Sequence, residues 1–80
     1  HISKTLLFAA ELSNTLSPSE VKLKAIEFFN QGNLELEYLE IVNPITLESL
    51  ENEWVPNSIA CIVAYLGDVR LIDNMELNSL

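Results

Sequence analysis

One stretch of the sequence dominates the fold of this chain: Ser58-Ile-Ala-Cys-Ile-Val-Ala-Tyr-Leu-Gly-Asp-Val-Arg-Leu-Ile-Asp-Asn74. Its first half, Ile59 to Leu66, is a run of eight apolar residues. The run is too short to cross a membrane and is rich in β-branched residues. Because uninterrupted apolar runs are typical of strands covered on both faces, it is predicted to be the central, fully buried strand of a sheet.

Gly67 and Asp68 are predicted to form the turn after this strand. Two residues suffice for a tight hairpin, and glycine supplies the positive φ that such turns need. Val69 to Asn74 should therefore return antiparallel to the central strand. We expect the rest of the chain to pack on this hairpin.

Composition predicts one small, soluble, folded domain. The chain has 80 residues, of which 49% are hydrophobic, so a sizeable core is possible. Twelve acidic residues against four basic ones give a net charge of −8, which repels phosphate backbones and anionic membrane surfaces. We therefore expect neither nucleic acid nor a membrane as a partner.

The single cysteine, Cys61, cannot form an intrachain disulfide, and no Cys/His spacing resembles a zinc site. The apolar run Leu6 to Ala10 is too short for a signal peptide, and no segment approaches the about 20 apolar residues of a membrane span. These features favour a cytoplasmic protein. The start His1-Ile2-Ser3 fits either a vector-derived segment or a point of truncation, and neither interpretation gives it chemistry.

Residues 4–12 contain good helix formers and predict a short first helix. Leu6, Ala9, Ala10 and Ser13 fall on one face at helical spacing. This face is expected to be the buried one.

A second helix is predicted from Pro18 to about Asn30. Ser17 suits the N-cap, Pro18 the first helical position, and Glu20 completes a capping box. Gly32 is the expected C-terminal stop. The predicted buried face stacks three residues and is widened by two more: Val21, Ala25 and Phe28, then Ile26 and Phe29.

The first strand is predicted from about Leu36 to Val42. Its apolar alternation changes phase between Tyr38 and Leu39, so the strand either starts near Tyr38 or carries a bulge. Pro44 ends the strand, and Ile45 to Glu53 is predicted to be a turn with at most one helical turn.

The element order is helix, helix, strand, strand, strand, with no repeat or linker. Residues 1–80 are therefore predicted to be a single two-layer α+β domain, in which two N-terminal helices pack on a small, mainly antiparallel, three-stranded sheet.

The acidic residues Glu35, Glu37 and Glu40 are considered as a metal cluster. Oxygen-ligand sites need carboxylates that converge from a turn or from several elements, whereas alternation of Glu with apolar residues is typical of a solvated sheet face. The solvated face is therefore favoured over the metal cluster.

Cys61 has no basic neighbour in sequence and is interpreted as a buried structural thiol. His1 has no Ser, Cys or carboxylate placed beside it, so no catalytic triad can be assembled.

Arg70 and Asp73 punctuate an otherwise apolar return strand. They are three residues apart and should face opposite sides of the sheet. An ion pair with an acidic residue or a contact with another domain is favoured for Arg70 over a ligand contact. For Asp73 and Asn74, a cap at the end of the strand, with hydrogen bonds to nearby backbone, is favoured. No catalytic, cofactor-binding or metal-binding residue is assigned.

Two segments carry a family resemblance. Tyr-Leu-Gly-Asp-Val-Arg-Leu-Ile-Asp-Asn (Tyr65 to Asn74) closely resembles the end of pantothenate synthetase, the pantoate–β-alanine ligase family. Leu36 to Glu48 resembles the same family's Leu-x-Tyr-x-x-(Ile/Val)-x-(Asp/Asn)-Pro-x-Thr-Leu segment, at the right distance upstream. The resemblance covers roughly residues 20–77 and only the last third of an enzyme of that family.

The resemblance implies an excised C-terminal domain of an enzyme that joins D-pantoate and β-alanine through a pantoyl-adenylate, using ATP and Mg²⁺. It implies a hinged cover over an N-terminal Rossmann-like catalytic domain of the same chain, in a parent that is a homodimer. The family's His-x-Gly-His signature and Ser-x-Arg-Asn loop are missing from this chain, and its two glycines build no phosphate-binding loop. The fragment is therefore expected to be inactive alone.

A second class of function is kept open. A small α+β domain can be a stand-alone interaction module that binds a protein through a sheet edge or an apolar patch.

Overall fold

The computed structural model describes residues 1–77 and contains two helices followed by three strands. The elements are α1 (Ile2–Leu12), α2 (Pro18–Phe29), β1 (Glu35–Val42), β2 (Ile59–Leu66) and β3 (Val69–Glu76). The strands form one antiparallel sheet in the order β1-β2-β3. The predicted α+β class, the helix-to-strand order and the central position of β2 are confirmed.

Helix α1 begins two residues earlier than the predicted residues 4–12. The extension is stabilised because the His1 carbonyl accepts hydrogen bonds from the Thr5 backbone N–H (3.0 Å) and hydroxyl (2.9 Å). Leu6, Ala9 and Ser13 are buried as predicted, whereas Ala10 is only half-buried.

The capping box of α2 is confirmed. The Ser17 hydroxyl accepts from the Glu20 N–H, and the Glu20 carboxylate accepts from the Ser17 N–H. The helix ends at Phe29, within one residue of the predicted end near Asn30, but Gly32 is not its stop: the cap residue is Asn30, in a right-handed conformation. Gly32 has an ordinary φ, so the chain leaves the helix without a left-handed cap.

The buried stripe of α2 differs from the prediction at one aromatic residue. Val21, Ala25 and Phe29 are fully buried, at spacing i, i+4, i+8, whereas Phe28 is half-buried. The Phe28 ring instead stacks on the ring of Phe8, with centroids 4.7 Å apart. The core between the layers joins helix residues to the facing side of the sheet: Leu6, Ala9, Val21, Ala25, Phe29, Leu39, Ile41, Ala60, Ile62, Ala64 and Leu77.

Strand β1 carries a bulge, which resolves the change of phase in its sequence. Leu36 pairs with Ala64 and Tyr38 pairs with Val63, so Glu37 is the additional residue. The strand therefore begins at Glu35, and after the bulge Leu39 and Ile41 face the helices.

The predicted hairpin is confirmed. Leu66 pairs with Val69, and Gly67 has a φ of +60°. Glycine with positive φ in the first central position is the pattern of a type II′ turn, whose twist matches that of the flanking strands.

The segment between β1 and β2 forms turns without a helical turn. The Asn43 side chain accepts hydrogen bonds from two backbone N–H groups, those of Ile45 (2.8 Å) and Thr46 (3.3 Å). Further along, the Leu50 N–H donates to the Ile41 carbonyl, which holds the segment against β1. The Trp54 indole N–H donates to the Leu16 carbonyl (2.9 Å), and this hydrogen bond holds the segment against the turn between the two helices.

Candidate functional site

The sheet has one face covered by the helices and one face that this chain leaves uncovered. Residues paired across antiparallel strands share a face, and successive residues alternate. Because Ala60, Ile62 and Ala64 belong to the core beneath the helices, the alternate positions of β2 define the opposite face. We call this surface the open face; in β2 it carries Ile59, Cys61, Val63 and Tyr65, and their partners in β1 and β3 complete it.

The prediction that β2 is buried on both faces is wrong for the chain by itself. Ile59, Cys61 and Tyr65 are half-buried, and among the β2 residues of the open face only Val63 is fully buried. Val63 is shielded at its own register by Tyr38 of β1 and Ile72 of β3. The apolar run is therefore covered by this chain on one side only.

A polar cluster marks one end of the open face. The Glu37 carboxylate accepts a hydrogen bond from the Tyr65 hydroxyl (2.6 Å) and two from the Arg70 guanidinium (3.2 and 3.1 Å). The bulge makes this contact possible because it places Glu37 beside the central strand. The predicted ion pair of Arg70 with an acidic residue is confirmed; the sequence named no partner.

The contacts within this cluster favour an ionised Glu37 carboxylate, a neutral Tyr65 phenol and a charged Arg70 guanidinium. The hydrogen bonds from Arg70 and Tyr65 lower the pKa of Glu37 below 4.5. The Glu37 carboxylate in turn raises the pKa of Tyr65 and that of Arg70. An ionised carboxylate bound to a cation and a neutral phenol is a poor general base, so the cluster joins three strands and does not transfer protons.

A second polar cluster lies between α2 and the loop after β1. The Lys22 ammonium contacts the Glu40 carboxylate at 2.5 Å, and the Ser49 hydroxyl donates to the same carboxylate at 2.6 Å. Burial tends to raise the pKa of Glu40, but the hydrogen bonds from Lys22 and Ser49 outweigh it and lower the pKa. The adjacent groove has a volume of about 390 Å³, but the cation and the carboxylate at its wall are already paired with each other.

The remaining residues considered from sequence have structural contacts. The Asn74 N–H donates to the Asp73 carboxylate (2.8 Å), which confirms the predicted hydrogen bond to nearby backbone, but β3 continues to Glu76, so the pair does not cap the end of the strand. Cys61 is half-exposed on the open face, not buried as predicted, and partial burial raises the pKa of its thiol. His1 stacks on Phe28 (centroids 5.1 Å apart), and its Nε2 lies 3.1 Å from the Phe28 carbonyl oxygen. Its position in the chain gave no signal of this packing.

The residues present do not fit ATP or Mg²⁺. A magnesium site needs converging oxygen ligands, yet Glu37 and Glu40 are each bound to a cation of their own. Within residues 1–77, no three His, Cys, Asp or Glu side chains are close enough to hold a metal ion. A phosphate would need cations, and two of the chain's four, Lys22 and Arg70, are engaged by these carboxylates. In the same range, no helix is long and apolar enough to cross a membrane.

Comparison with known proteins identifies the family. A sequence profile of the family described as pantoate-beta-alanine ligase matches residues 1–76. The chain belongs to the pantoate–β-alanine ligase family. The match extends over both helices and all three strands, so the whole described domain belongs to the family's sequence pattern.

Individual proteins of this family are similar to the chain over nearly its whole length. The chain is 38% identical over 77 residues to pantothenate synthetase of Azobacteroides pseudotrichonymphae, covering 92% of this chain and 27% of that relative. It is 40% identical over 79 residues to pantothenate synthetase of Bacteroides fragilis strain YCH46, covering 94% and 27%. A bifunctional pantoate ligase/cytidylate kinase of Trichodesmium erythraeum is 42% identical over 77 residues, covering 95% and 14%.

Solved structures share the fold. The structure of pantothenate synthetase from Thermus thermophilus superposes with a TM-score of 0.84 at 29% identity, covering 92% of this chain and 27% of that chain. The family resemblance given by the two sequence segments is thus confirmed. The chain spans about a quarter of the length of the pantothenate synthetases that it matches.

Proposed function

We propose that this chain is the C-terminal domain of an ATP-dependent, AMP-forming ligase that joins D-pantoate and β-alanine to make pantothenate through a pantoyl-adenylate. The observation that carries the proposal is the family match over residues 1–76, together with relatives that are about four times as long as the matched segment. The chemistry is assigned to the remainder of such an enzyme, an N-terminal Rossmann-like domain of the same chain.

The role that we propose for this domain is that of a cover. An acyl-adenylate is hydrolysed when water reaches it, and closing a domain over the site excludes water until the amine arrives. A domain with a net charge of −8, in which two of the four cations, Lys22 and Arg70, are paired to carboxylates, is a poor primary site for ATP and a suitable cover. ATP and Mg²⁺ would be held by the N-terminal domain.

The partners follow from this assignment. We propose the N-terminal catalytic domain as the partner of this chain, with pantoate, β-alanine and ATP as substrates of the parent enzyme. We further propose a cytoplasmic, homodimeric parent, no nucleic-acid or membrane partner, and no catalytic, cofactor-binding or metal-binding residue within residues 1–80. The isolated chain should then be inactive.

A stand-alone interaction module is the second candidate function. It is favoured by the half-exposed apolar residues of the open face, because apolar patches rimmed by polar residues are typical of protein-binding surfaces. The two functions differ in whether the domain supports catalysis by a covalently attached partner.

A chimeric enzyme tests the ligase proposal. The segment of the Bacteroides fragilis pantothenate synthetase that aligns with this chain is replaced by residues 1–80, and pantothenate formation is measured with ATP, Mg²⁺, pantoate and β-alanine. We expect the chimera to make pantothenate and the same enzyme without the segment to be severely impaired. A folded chimera that is no more active than the truncated enzyme would contradict the proposal and favour the interaction module.

A further inference from the structure

We propose that the open face is the surface through which this domain docks on the catalytic domain of the parent ligase. This inference rests on the proposed function, since it names the part of the domain that meets its partner. The docking face is opposite to the helical layer and meets it at the edge of β1, where Glu40 contacts Lys22 of α2 and Ser49 of the following loop.

The sequence of β2 supports a cover over its open face. All eight residues from Ile59 to Leu66 are apolar, whereas a strand of an antiparallel sheet with one wet face normally alternates apolar and polar residues. The helices account for the burial of Ala60, Ile62 and Ala64 only. The alternate positions, Ile59, Cys61, Val63 and Tyr65, have the composition of a second buried face, but the described residues 1–77 provide no second layer to cover it.

The geometry of the open face matches the anatomy of an interface. Tyr38, Val63 and Ile72 form a straight apolar row across the three strands, because Tyr38 pairs with Val63 and Val63 pairs with Ile72. Tyr38 is 43% exposed and Ile72 is 64% exposed, while Val63 beneath them is fully buried. A central apolar patch with aromatic character is the part of an interface that contributes most binding energy.

The rim of this patch is polar, and two of its carboxylates, Glu37 and Glu40, are compensated by cations. The Glu37–Tyr65–Arg70 cluster lies at the hairpin end, and Glu40, paired with Lys22, occupies the row of Cys61 next to the apolar row. Compensated charges are less costly to bring near a partner than free ones. The two other carboxylates of this face, Glu35 and Glu76, are exposed at its two ends, opposite Tyr65 and Ile59, so the central row can be covered while they stay at the margin.

The helical layer is a weaker candidate for docking. Its large exposed apolar residues, Leu7 (55%) and Leu23 (64%), lie on different helices, and the apolar stripes of both helices are already used against the sheet. Singly exposed apolar residues are normal on soluble proteins. The occupant that we choose for the open face is the catalytic domain because the chain makes up only 27% of the matched pantothenate synthetases, which leaves a large attached body to cover it.

Alkylation of Cys61 tests the docking face, because this thiol lies on the open face and is the chain's one cysteine. The rate of Cys61 alkylation by iodoacetamide, followed by peptide mass spectrometry, is compared between the isolated chain and the Bacteroides fragilis chimera. We expect alkylation at least about tenfold slower in the chimera, because the thiol becomes reachable only when the domains separate. Equal rates in an active chimera would overturn the docking face while leaving the proposed function intact.

The other outcomes are also decisive. An inactive chimera in which Cys61 is protected would overturn the proposed function alone, and an inactive chimera with equal rates would overturn both. Slow alkylation of the isolated chain that becomes faster on dilution, with a dimer mass, would assign the open face to a second copy and contradict the catalytic domain as its occupant.

A pair of matched substitutions provides a measurement that does not depend on the thiol. Ile72→Gln and Leu23→Gln alter residues of equal exposure, 64% each, on the open face and on α2 respectively. In the isolated chain both should shift the midpoint of thermal unfolding little. In the chimera only Ile72→Gln should speed Cys61 alkylation and lower the midpoint. Equal effects of the two substitutions in the chimera would contradict docking through the open face.

Discussion

Gly67 shows how one residue fixes the geometry of the sheet. Its φ is +60°, and a Cβ built there would meet no atom within 4 Å. A side chain at this position is therefore opposed by backbone conformation alone and not by crowding. The Gly-Asp pair was recognised from sequence because the φ requirement of a two-residue hairpin is local.

Gly67→Val is expected to lower the free energy of unfolding by roughly 1 to 3 kcal/mol, because a β-branched residue is strained at positive φ. Chemical denaturation of the two proteins measures the difference. Gly67→Ala is the control, since it adds a Cβ without the β-branch and should lose less than Val. Equal stability of the Val variant and the parent chain would remove the turn assignment.

Glu37 is the residue whose role the sequence least revealed. The change of phase in the apolar alternation of this strand was visible, but the sequence left open whether the strand began near Tyr38 or carried a bulge. Only pairing with β2 decides, because a bulge is defined by the partner strand. The contact of Glu37 with Tyr65 and Arg70 is a consequence of that bulge and spans 28 and 33 residues of chain.

The pH dependence of stability should report this cluster. Because its pKa is lowered in the folded state, Glu37 stabilises the fold above about pH 4.5, and this contribution is lost as the pH falls through the folded-state pKa. Glu37→Gln should therefore be less stable than the parent chain at pH 7, with a difference that shrinks under acid. Glu27→Gln, at an exposed position of α2, controls for the change in net charge. A difference independent of pH between 7 and 3 would contradict the assigned contacts.

At the scale of elements, boundaries with local causes were predictable and those with distant causes were not. The capping box of α2 needs only four consecutive residues, and it was predicted correctly. The start of α1 and the orientation of Phe28 depend on His1, whose ring stacks on Phe28 from 27 residues away. Gly32 suggested a left-handed helix end, but the helix stops at Phe29 and Gly32 instead gives room to the His1 ring, which lies 2.8 Å from the place of a Cβ.

Ser17→Ala is expected to lower the free energy of unfolding by about 0.5 to 2 kcal/mol, because it leaves the Glu20 N–H without its side-chain acceptor. Ser17→Asp, which retains a capping oxygen, should preserve most of the stability. Thermal unfolding of the three proteins provides the comparison. An Ala variant as stable as the parent would mean that water replaces the cap at no cost.

At the scale of the whole molecule, the sequence predicted the layers and the family, but it could not separate burial by this chain from burial by a partner. The apolar run of β2 predicted a strand covered on both faces, yet the helices cover one. Burial signals in a sequence report the whole assembly that the chain enters, and they do not say which layer comes from the same polypeptide. The same limit prevented the residues that face a missing domain from being named.

The isolated chain is expected to fold by itself despite this open face. Its capped helix, continuous central strand and buried core satisfy local and long-range preferences together. A single cooperative thermal transition with dispersed amide resonances is the expected result. Absence of a transition, with collapsed amide dispersion, would show that the core requires the partner domain.

The proposed cover keeps water from an acyl-adenylate formed elsewhere in the enzyme. The most direct measurement is the ratio of AMP to pantothenate produced by the Bacteroides fragilis chimera and by the same enzyme ending before the segment, after both are confirmed to be folded. We predict a ratio near one for the chimera and, wherever the truncated enzyme still forms adenylate, an excess of AMP from hydrolysis. A folded truncated enzyme with normal turnover and equal amounts of AMP and pantothenate would contradict the proposed role of this domain as a cover.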